Sequence, residues 1–119
     1  ASKLLVASDA PPVRATQEIR PVAIITSASD KIILDFGQNF VSVVRINKVP
    51  AQSSITLTHA EVLENSELGM RPVRGAKCRD VVITSDSEIL NRSPKFTYHG
   101  FRFVQIDGWP AEQHVALDN

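Results

Sequence analysis

KFTYHGFRFVQIDG, residues 95–108, is the densest aromatic stretch of the chain. Its aromatic and β-branched residues fit a pleated, half-buried surface better than a helix. The stretch therefore predicts two strand segments, 95–99 and 101–108, at the centre of the core. Gly100 lies between the segments and is expected to interrupt the side-chain alternation, as a bulge or tight bend would.

Arg102 is the polar residue that this central segment has to accommodate. Period 2 places it on the face of Val104 and Ile106, opposite Phe101 and Phe103. A guanidinium on a buried row needs an acidic partner. The candidate partners are Asp35, Glu61 and Asp80. The alternative is that Arg102, Tyr98 and His99 form a cluster that contacts a partner.

The rest of the chain repeats this pattern of Val-, Ile- and Thr-rich runs between Pro and Gly residues. The further strand candidates are 22–28, 31–36, 40–49, 53–63 and 79–86. No segment sustains a helical apolar stripe. Many short strands separated by turn residues predict an all-β fold, an antiparallel two-sheet β-sandwich of the jelly-roll type.

His59 and Glu61 follow Ile55 and Leu57 on one face of the 53–63 candidate. An imidazole and a carboxylate on a core-facing row must be hydrogen-bonded or solvated. They could line a ligand-binding concavity or a weak metal site. The alternative is a buried polar pair that connects two strands, or the open end of the sandwich, because buried polar groups normally satisfy each other. We predict no metal ligands.

LDFGQN, residues 34–39, predicts a strand end followed by a turn. Gly37 can adopt a positive φ, and Asp35, Gln38 and Asn39 can hydrogen-bond turn backbone. The functional alternative is a row of polar groups that contacts sugar hydroxyls.

Residues 64–77 form the longest segment without a strand signal, and they include Arg71 and Arg74. Long loops of this kind usually have a function or a docking partner. Together with Trp109 at the exit from the domain, the two arginines are candidates for an interface with a neighbouring domain.

The formal charge of the 119-residue chain is zero, with 13 Lys+Arg and 13 Asp+Glu. This balance argues against nucleic-acid binding and against an anionic membrane surface, and no apolar run is long enough to span a bilayer. The single cysteine, Cys78, excludes an internal disulfide and a Cys-rich zinc site. Because the common catalytic motifs are missing, we predict no catalytic residue and no cofactor.

The length predicts a single β-sandwich domain over residues 1–119. Residues 1–20 are expected to be an extended lead-in and residues 109–119 an exit linker. The first residues contain neither an initiator Met nor the apolar core of a signal peptide. We therefore expect this chain to be a piece of a longer polypeptide.

In order and spacing, several segments resemble one known module. They are PPVRATQEIRPV (11–22), LDFGQNFVSVVRI (34–46), ITLTHAEVL (55–63), CRDVVI (78–83) and FTYHGFRFVQIDG (96–108). The module is the concanavalin-like β-sandwich domain of α-L-rhamnosidases, bacterial and fungal glycoside hydrolases that release terminal rhamnose. The DFGQN and FTYHGFRF motifs are the specific part of this resemblance.

The resemblance implies that the catalytic acid and base lie on an (α/α)6 barrel of the same polypeptide, in an enzyme that is often extracellular. The expected function is then a non-catalytic ancillary domain that packs against this barrel and neighbouring β-domains. The alternative is a carbohydrate-binding module that contacts rhamnosides through DFGQN, His59, Glu61 and Tyr98. An independent enzyme is the third and least favoured hypothesis, since no acid here matches a catalytic motif of the family.

Overall fold

The computed structural model describes residues 4–110 and Val115. This part of the chain contains nine β-strands and no α-helix. The strands are β1 (Ala23–Thr26), β2 (Ile32–Ser42), β3 (Ile46–Val49), β4 (Ser54–Ala60), β5 (Val62–Glu64), β6 (Glu67–Gly69), β7 (Arg79–Ile83), β8 (Ile89–Arg92) and β9 (His99–Asp107). Over the same residues, the structure has no helix with the length and apolar character needed to cross a bilayer. The predicted all-β class is confirmed.

The main layer is a five-stranded sheet in the order β1-β2-β9-β4-β7. All its neighbouring strands are antiparallel. The central strand is β9, which pairs with β2 on one side and with β4 on the other. This confirms the prediction for the 101–108 segment, whereas the 95–99 prediction was wrong, because Phe96 and Tyr98 are exposed before the strand begins at His99.

Both faces of the main sheet are covered. On one face, Ile46 and Val49 of the two-stranded β3–β8 sheet join the hydrophobic core. The β5–β6 hairpin follows β4 and reaches the β1–β2 turn, where the Ala28 N–H donates to the Ser66 carbonyl at 3.1 Å. The turn lies at the far end of the sheet, so we infer that the hairpin covers the other face. Ile33, which is outside the core cluster, is fully buried.

The DFGQN segment is a bulge inside β2, so the prediction that it ends the strand was wrong. Asp35 pairs with Phe103, and the next pair is Phe40 with Phe101. Residues 36–39 therefore face Arg102 alone, and Gly37 has a φ of +79° within the bulge. A positive φ is accessible to glycine at no steric cost.

The bulge also determines where the side-chain alternation of β9 is interrupted. Phe101 and Val104 are three residues apart, yet both belong to the core cluster. The alternation is therefore interrupted after Phe101, and Gly100 pairs regularly with Val41. The prediction of an interruption at Gly100 was wrong, because the extra residues of the opposite strand determine where β9 changes face.

An aromatic triad fills the space that the bulge creates. The ring centroids of Phe36, Phe40 and Phe101 lie 4.9–5.7 Å apart. Such pairs contribute about 0.5–1.5 kcal/mol each beyond their buried area. The bulge thus brings three Phe side chains together at one end of the core.

Other strand boundaries differ from the predictions. The 40–49 candidate is split between β2 and β3, the 53–63 candidate ends at Ala60, and residues 95–98 lie outside any strand. The 64–77 segment begins inside the β5–β6 hairpin. Strand β8 was not predicted, because its four residues have too short a pattern to stand out from a turn.

Candidate functional site

Asp35 and Arg102 form the first polar arrangement, which is partly buried on the face of the main sheet that Phe103 occupies. The prediction that Arg102 shares the face of Val104 and Ile106 was wrong, because the bulge changes the alternation after Phe101. Arg102 Nε and Nη2 donate to the two carboxylate oxygens of Asp35 at 2.8 and 2.9 Å. The Gly37 N–H donates to Asp35 Oδ1 at 2.7 Å. The guanidinium carbon also lies 4.9 Å from the centre of the Phe103 ring. Of the three predicted partners for Arg102, the structure selects Asp35.

This arrangement leaves Asp35 saturated. The hydrogen bonds from Arg102 are the main reason that the pKa of Asp35 is lowered, and the Gly37 N–H acts in the same direction against the effect of burial. A bidentate pair of this kind fixes geometry as well as charge. The Asp35–Arg102 pair therefore fastens the bulge of β2 to the central strand.

His59, Asp80 and His99 form the second arrangement, which we call the histidine–aspartate cluster. It lies on the core face, where Phe101 contacts the His59 ring edge to face at 4.9 Å. The imidazoles of His59 and His99 are stacked, with their centroids 4.1 Å apart. His99 Nε2 lies 2.9 Å from Asp80 Oδ1, whereas His59 Nε2 lies 3.8 Å from Asp80 Oδ2.

The cluster is incomplete as a hydrogen-bond network. In the described part of the chain, only three buried side-chain atoms without a hydrogen-bond partner are found, and two of them are His59 Nε2 and Asp80 Oδ2. The third is Nε1 of Trp109. Burial lowers the pKa of His59, and the neighbouring His99 acts in the same direction. His59 Nε2 and Asp80 Oδ2 therefore face each other, 3.8 Å apart, without a hydrogen bond.

The structure separates the residues proposed for a sugar-binding concavity. His59 is fully buried, while Gln38, Asn39 and Tyr98 are exposed. Strand β4 ends before Glu61, which extends towards Gly100 and does not continue the row of His59. The buried His59 therefore shares no exposed surface with Gln38, Asn39 and Tyr98.

The residues proposed for a domain interface also differ from one another. Arg71 is 85% exposed and pairs with Glu64 at 3.0 Å. Arg74 is exposed in a turn, with a φ of +54°. Trp109 is half-buried, packs against the core and lines a cavity of about 320 Å³ between the sheet and residues 17–21 of the lead-in. The remaining residues of the predicted exit linker, apart from Pro110 and Val115, lie outside the described residues.

Sequence reasoning considered Asp80 only as a partner for Arg102 and missed its role in the cluster. A signal was available, because Asp80 alternates with Val82 along β7 and Val82 packs against the core. A carboxylate in a core-facing row needs a partner. Neither histidine could be assigned to it without the strand order.

The fold defines an all-β sandwich module. Its two polar arrangements, the Asp35–Arg102 pair and the histidine–aspartate cluster, lie against the main sheet. The chain belongs to the family of bacterial α-L-rhamnosidase concanavalin-like domains, whose model matches residues 25–119.

Known α-L-rhamnosidases contain similar segments. The enzyme of Alteromonas sp. (strain LOR) is 36% identical over 100 residues, which is 82% of this chain and 11% of the relative. The structure of the native Aspergillus terreus enzyme matches 91% of this chain and 13% of its own length, at 42% identity and a TM-score of 0.77. That of the Dictyoglumus thermophilum enzyme covers 92% of this chain and 12% of its own length, at 33% identity and a TM-score of 0.79. The chain thus spans about a tenth of the length of the curated relatives it matches.

Proposed function

We propose that this chain is a non-catalytic ancillary domain of an α-L-rhamnosidase. It packs against a catalytic (α/α)6 barrel in the same polypeptide and supports it, while the barrel hydrolyses terminal α-L-rhamnose from glycosides. Membership of the family and the small share of its relatives that the chain covers support this proposal.

The observation that carries the proposal is the outer edge of β7. This strand is the last in the main sheet, so one side of its backbone has no strand neighbour within the described residues. Val81 and Ile83 are 55% and 72% exposed on the face opposite Val82. An edge strand that exposes aliphatic side chains is suited to a contact with another domain.

The electrostatics of three carboxylates agree with a non-catalytic assignment. A glycosidase acid needs a raised pKa. The pKa values of Asp35, Glu18 and Glu67 are all lowered, mainly by side-chain hydrogen bonds from Arg102, Arg45 and Ser29, respectively. None of these three carboxyl groups has the raised pKa that a glycosidase acid requires.

The test uses the enzyme that carries this chain. We expect the double substitution Val81→Lys and Ile83→Lys to lower its unfolding temperature and its activity on a chromogenic rhamnoside, because both cations would have to be buried at the interface. Leu90→Lys is the matched control, since Leu90 is 61% exposed on β8. Equal effects of the two variants would contradict the docking of β7.

A second measurement addresses the chain by itself. We expect it to hydrolyse no rhamnoside and to release no heat when titrated with rhamnose-containing glycans. Rhamnoside turnover that is lost on substitution of one Asp or Glu would overturn the proposal. Saturable glycan binding that Tyr98→Ala removes would favour the carbohydrate-binding alternative.

A further inference from the structure

We propose that His59, Asp80 and His99 bind a divalent transition-metal ion, and that zinc fits their donor atoms best. The three side chains each offer one ligand atom, and these atoms all lie within 4.8 Å of one another. The inference is independent of the proposed function, because it depends only on the interior of the sandwich.

A hydrogen bond to the backbone decides which nitrogen of the His59 ring is protonated. His59 Nδ1 lies 3.0 Å from the carbonyl oxygen of Cys78. A carbonyl oxygen can only accept, so Nδ1 is the protonated nitrogen of the ring. A ring with one proton therefore presents the lone pair of Nε2 on its other side. A hydrogen bond on the other nitrogen that fixes this tautomer is the usual support of a metal-binding histidine.

The lone pair of His59 Nε2 faces a second acceptor. Asp80 Oδ2 lies 3.8 Å away, and both atoms are buried without a hydrogen-bond partner. Two acceptors that face each other in a buried site are unfavourable unless a positively charged or donating species lies between them. The separation suits an ion, because two tetrahedral zinc ligands at about 2.1 Å from the metal are about 3.4 Å apart.

His99 supplies the third ligand. Its Nε2 lies 2.9 Å from Asp80 Oδ1 and, in the neutral ring, donates its proton there. When the ion binds, this proton moves to Nδ1 of the same ring by exchange with solvent, so that Nε2 becomes a ligand and no net proton is released. The side chains of Asp80 and His99 are each 13% exposed, which gives an ion a route from solvent.

The donor set selects the class of ion. Two imidazoles and one carboxylate suit zinc and related transition ions. Calcium and magnesium prefer sites made of oxygen ligands. Because the ligands belong to β4, β7 and β9, a bound ion would connect three strands of the main sheet.

The experiment titrates the metal-free chain with zinc and follows binding by calorimetry and by the unfolding temperature. We expect one zinc ion per chain and an unfolding temperature that rises with zinc concentration, with no such rise for magnesium. Cobalt(II) is expected to give the visible absorption of a four-coordinate site. A thiolate-to-cobalt charge-transfer band would instead assign the ion to Cys78 and overturn the proposal.

Two variants and a control decide between the cluster and other sites. Asp80→Asn and His99→Gln are expected to weaken zinc binding at least ~10-fold. The chain has three histidines, and His114→Gln, a control outside the described residues, should leave the affinity unchanged. Far-ultraviolet circular dichroism checks that each variant is folded. If Asp80→Asn is unfolded, His99→Gln decides.

Two results would overturn the proposal. If the wild-type chain shows no saturable zinc binding, the cluster is not a metal site. If zinc binds but both variants retain the wild-type affinity, the ion is bound elsewhere on the surface.

Discussion

The Asp35–Arg102 pair and the histidine–aspartate cluster are two polar arrangements on opposite faces of the same sheet. In the first, both carboxylate oxygens and the guanidinium are engaged at 2.8–2.9 Å. In the second, the facing atoms of His59 and Asp80 are 3.8 Å apart and have no hydrogen-bond partner.

The Asp35–Arg102 pair is a structural contact, whereas the histidine–aspartate cluster still has atoms that can bind a ligand. A saturated carboxylate gains nothing further from an added ion, and removing its partner leaves an uncompensated charge. An unsaturated cluster already bears the cost of two unpaired polar atoms, so replacement of one of them need not destabilise the fold. The following predictions use this contrast, beginning with the largest effect.

Arg102→Ala is expected to lower the free energy of unfolding by about 2–3 kcal/mol. The Asp35 carboxylate would be left mostly buried without its cation, although the 40% exposure of Arg102 makes the loss smaller than for a fully buried pair. Urea unfolding of the two proteins measures the effect. Arg71→Ala is the control and should cost less than about 0.5 kcal/mol, because its ion pair is on the surface. Equal losses would show that the Asp35–Arg102 pair is no more important than a surface contact.

Asp35→Asn is expected to cost about 1–2 kcal/mol, less than the loss of Arg102. The introduced amide can still accept the Gly37 N–H, and the exposed guanidinium can turn to water, but the charge-assisted bonds are lost. A double-mutant cycle with Arg102→Ala measures the coupling directly. Additive losses would mean that the two side chains act independently.

Acid should weaken the Asp35–Arg102 pair in a defined direction. The hydrogen bonds from Arg102 lower the pKa of Asp35 in the folded state relative to the unfolded chain. The pair therefore contributes fully above about pH 5, and this contribution is lost as the pH falls through the lowered folded pKa. Unfolding measured between about pH 6 and pH 2 should show a steeper acid loss for the wild type than for Asp35→Asn. If stability falls with pH equally in the wild type and in Asp35→Asn, the pair does not cause the acid sensitivity.

Asp80→Asn should have the smallest effect on the metal-free chain, within about 0.5 kcal/mol. The amide can donate to His59 Nε2 while its oxygen still accepts from His99, so a new bond offsets the lost charge. Thermal unfolding of the variant and the wild type, with a chelator present, measures this stability difference. A destabilisation as large as that of Asp35→Asn would show that the charge of Asp80 is already compensated and that the contrast between the two faces is wrong.

Local patterns in the sequence predicted the central strand and most of the main sheet. The aromatic run at 101–108 has the composition and the length that a buried strand requires. All of it except Gly108 lies within β9. The sequence also narrowed the partner of Arg102 to three acids, among which Asp35 was correct. The short strand β8 and the hairpin around Glu67 carried too few residues for a periodic signal.

The bulge and the cluster could not be predicted in this way. In the bulge, residues 36–39 of β2 lie opposite Arg102 of β9. This property of strand pairing decides that Phe101 faces the core. His59 and His99 each lie about twenty positions from Asp80 in sequence, on strands whose order no local pattern gives.

The amino-acid sequence by itself determined the all-β class, because strand propensity and turn residues act over a few neighbouring positions. The DFGQN and FTYHGFRF motifs gave the resemblance to the family. The tertiary structure decided which polar atoms are satisfied, since a hydrogen bond depends on a few tenths of an ångström between distant strands. For this reason Asp35 is a saturated structural group, whereas Asp80 keeps an oxygen without a hydrogen-bond partner that faces His59.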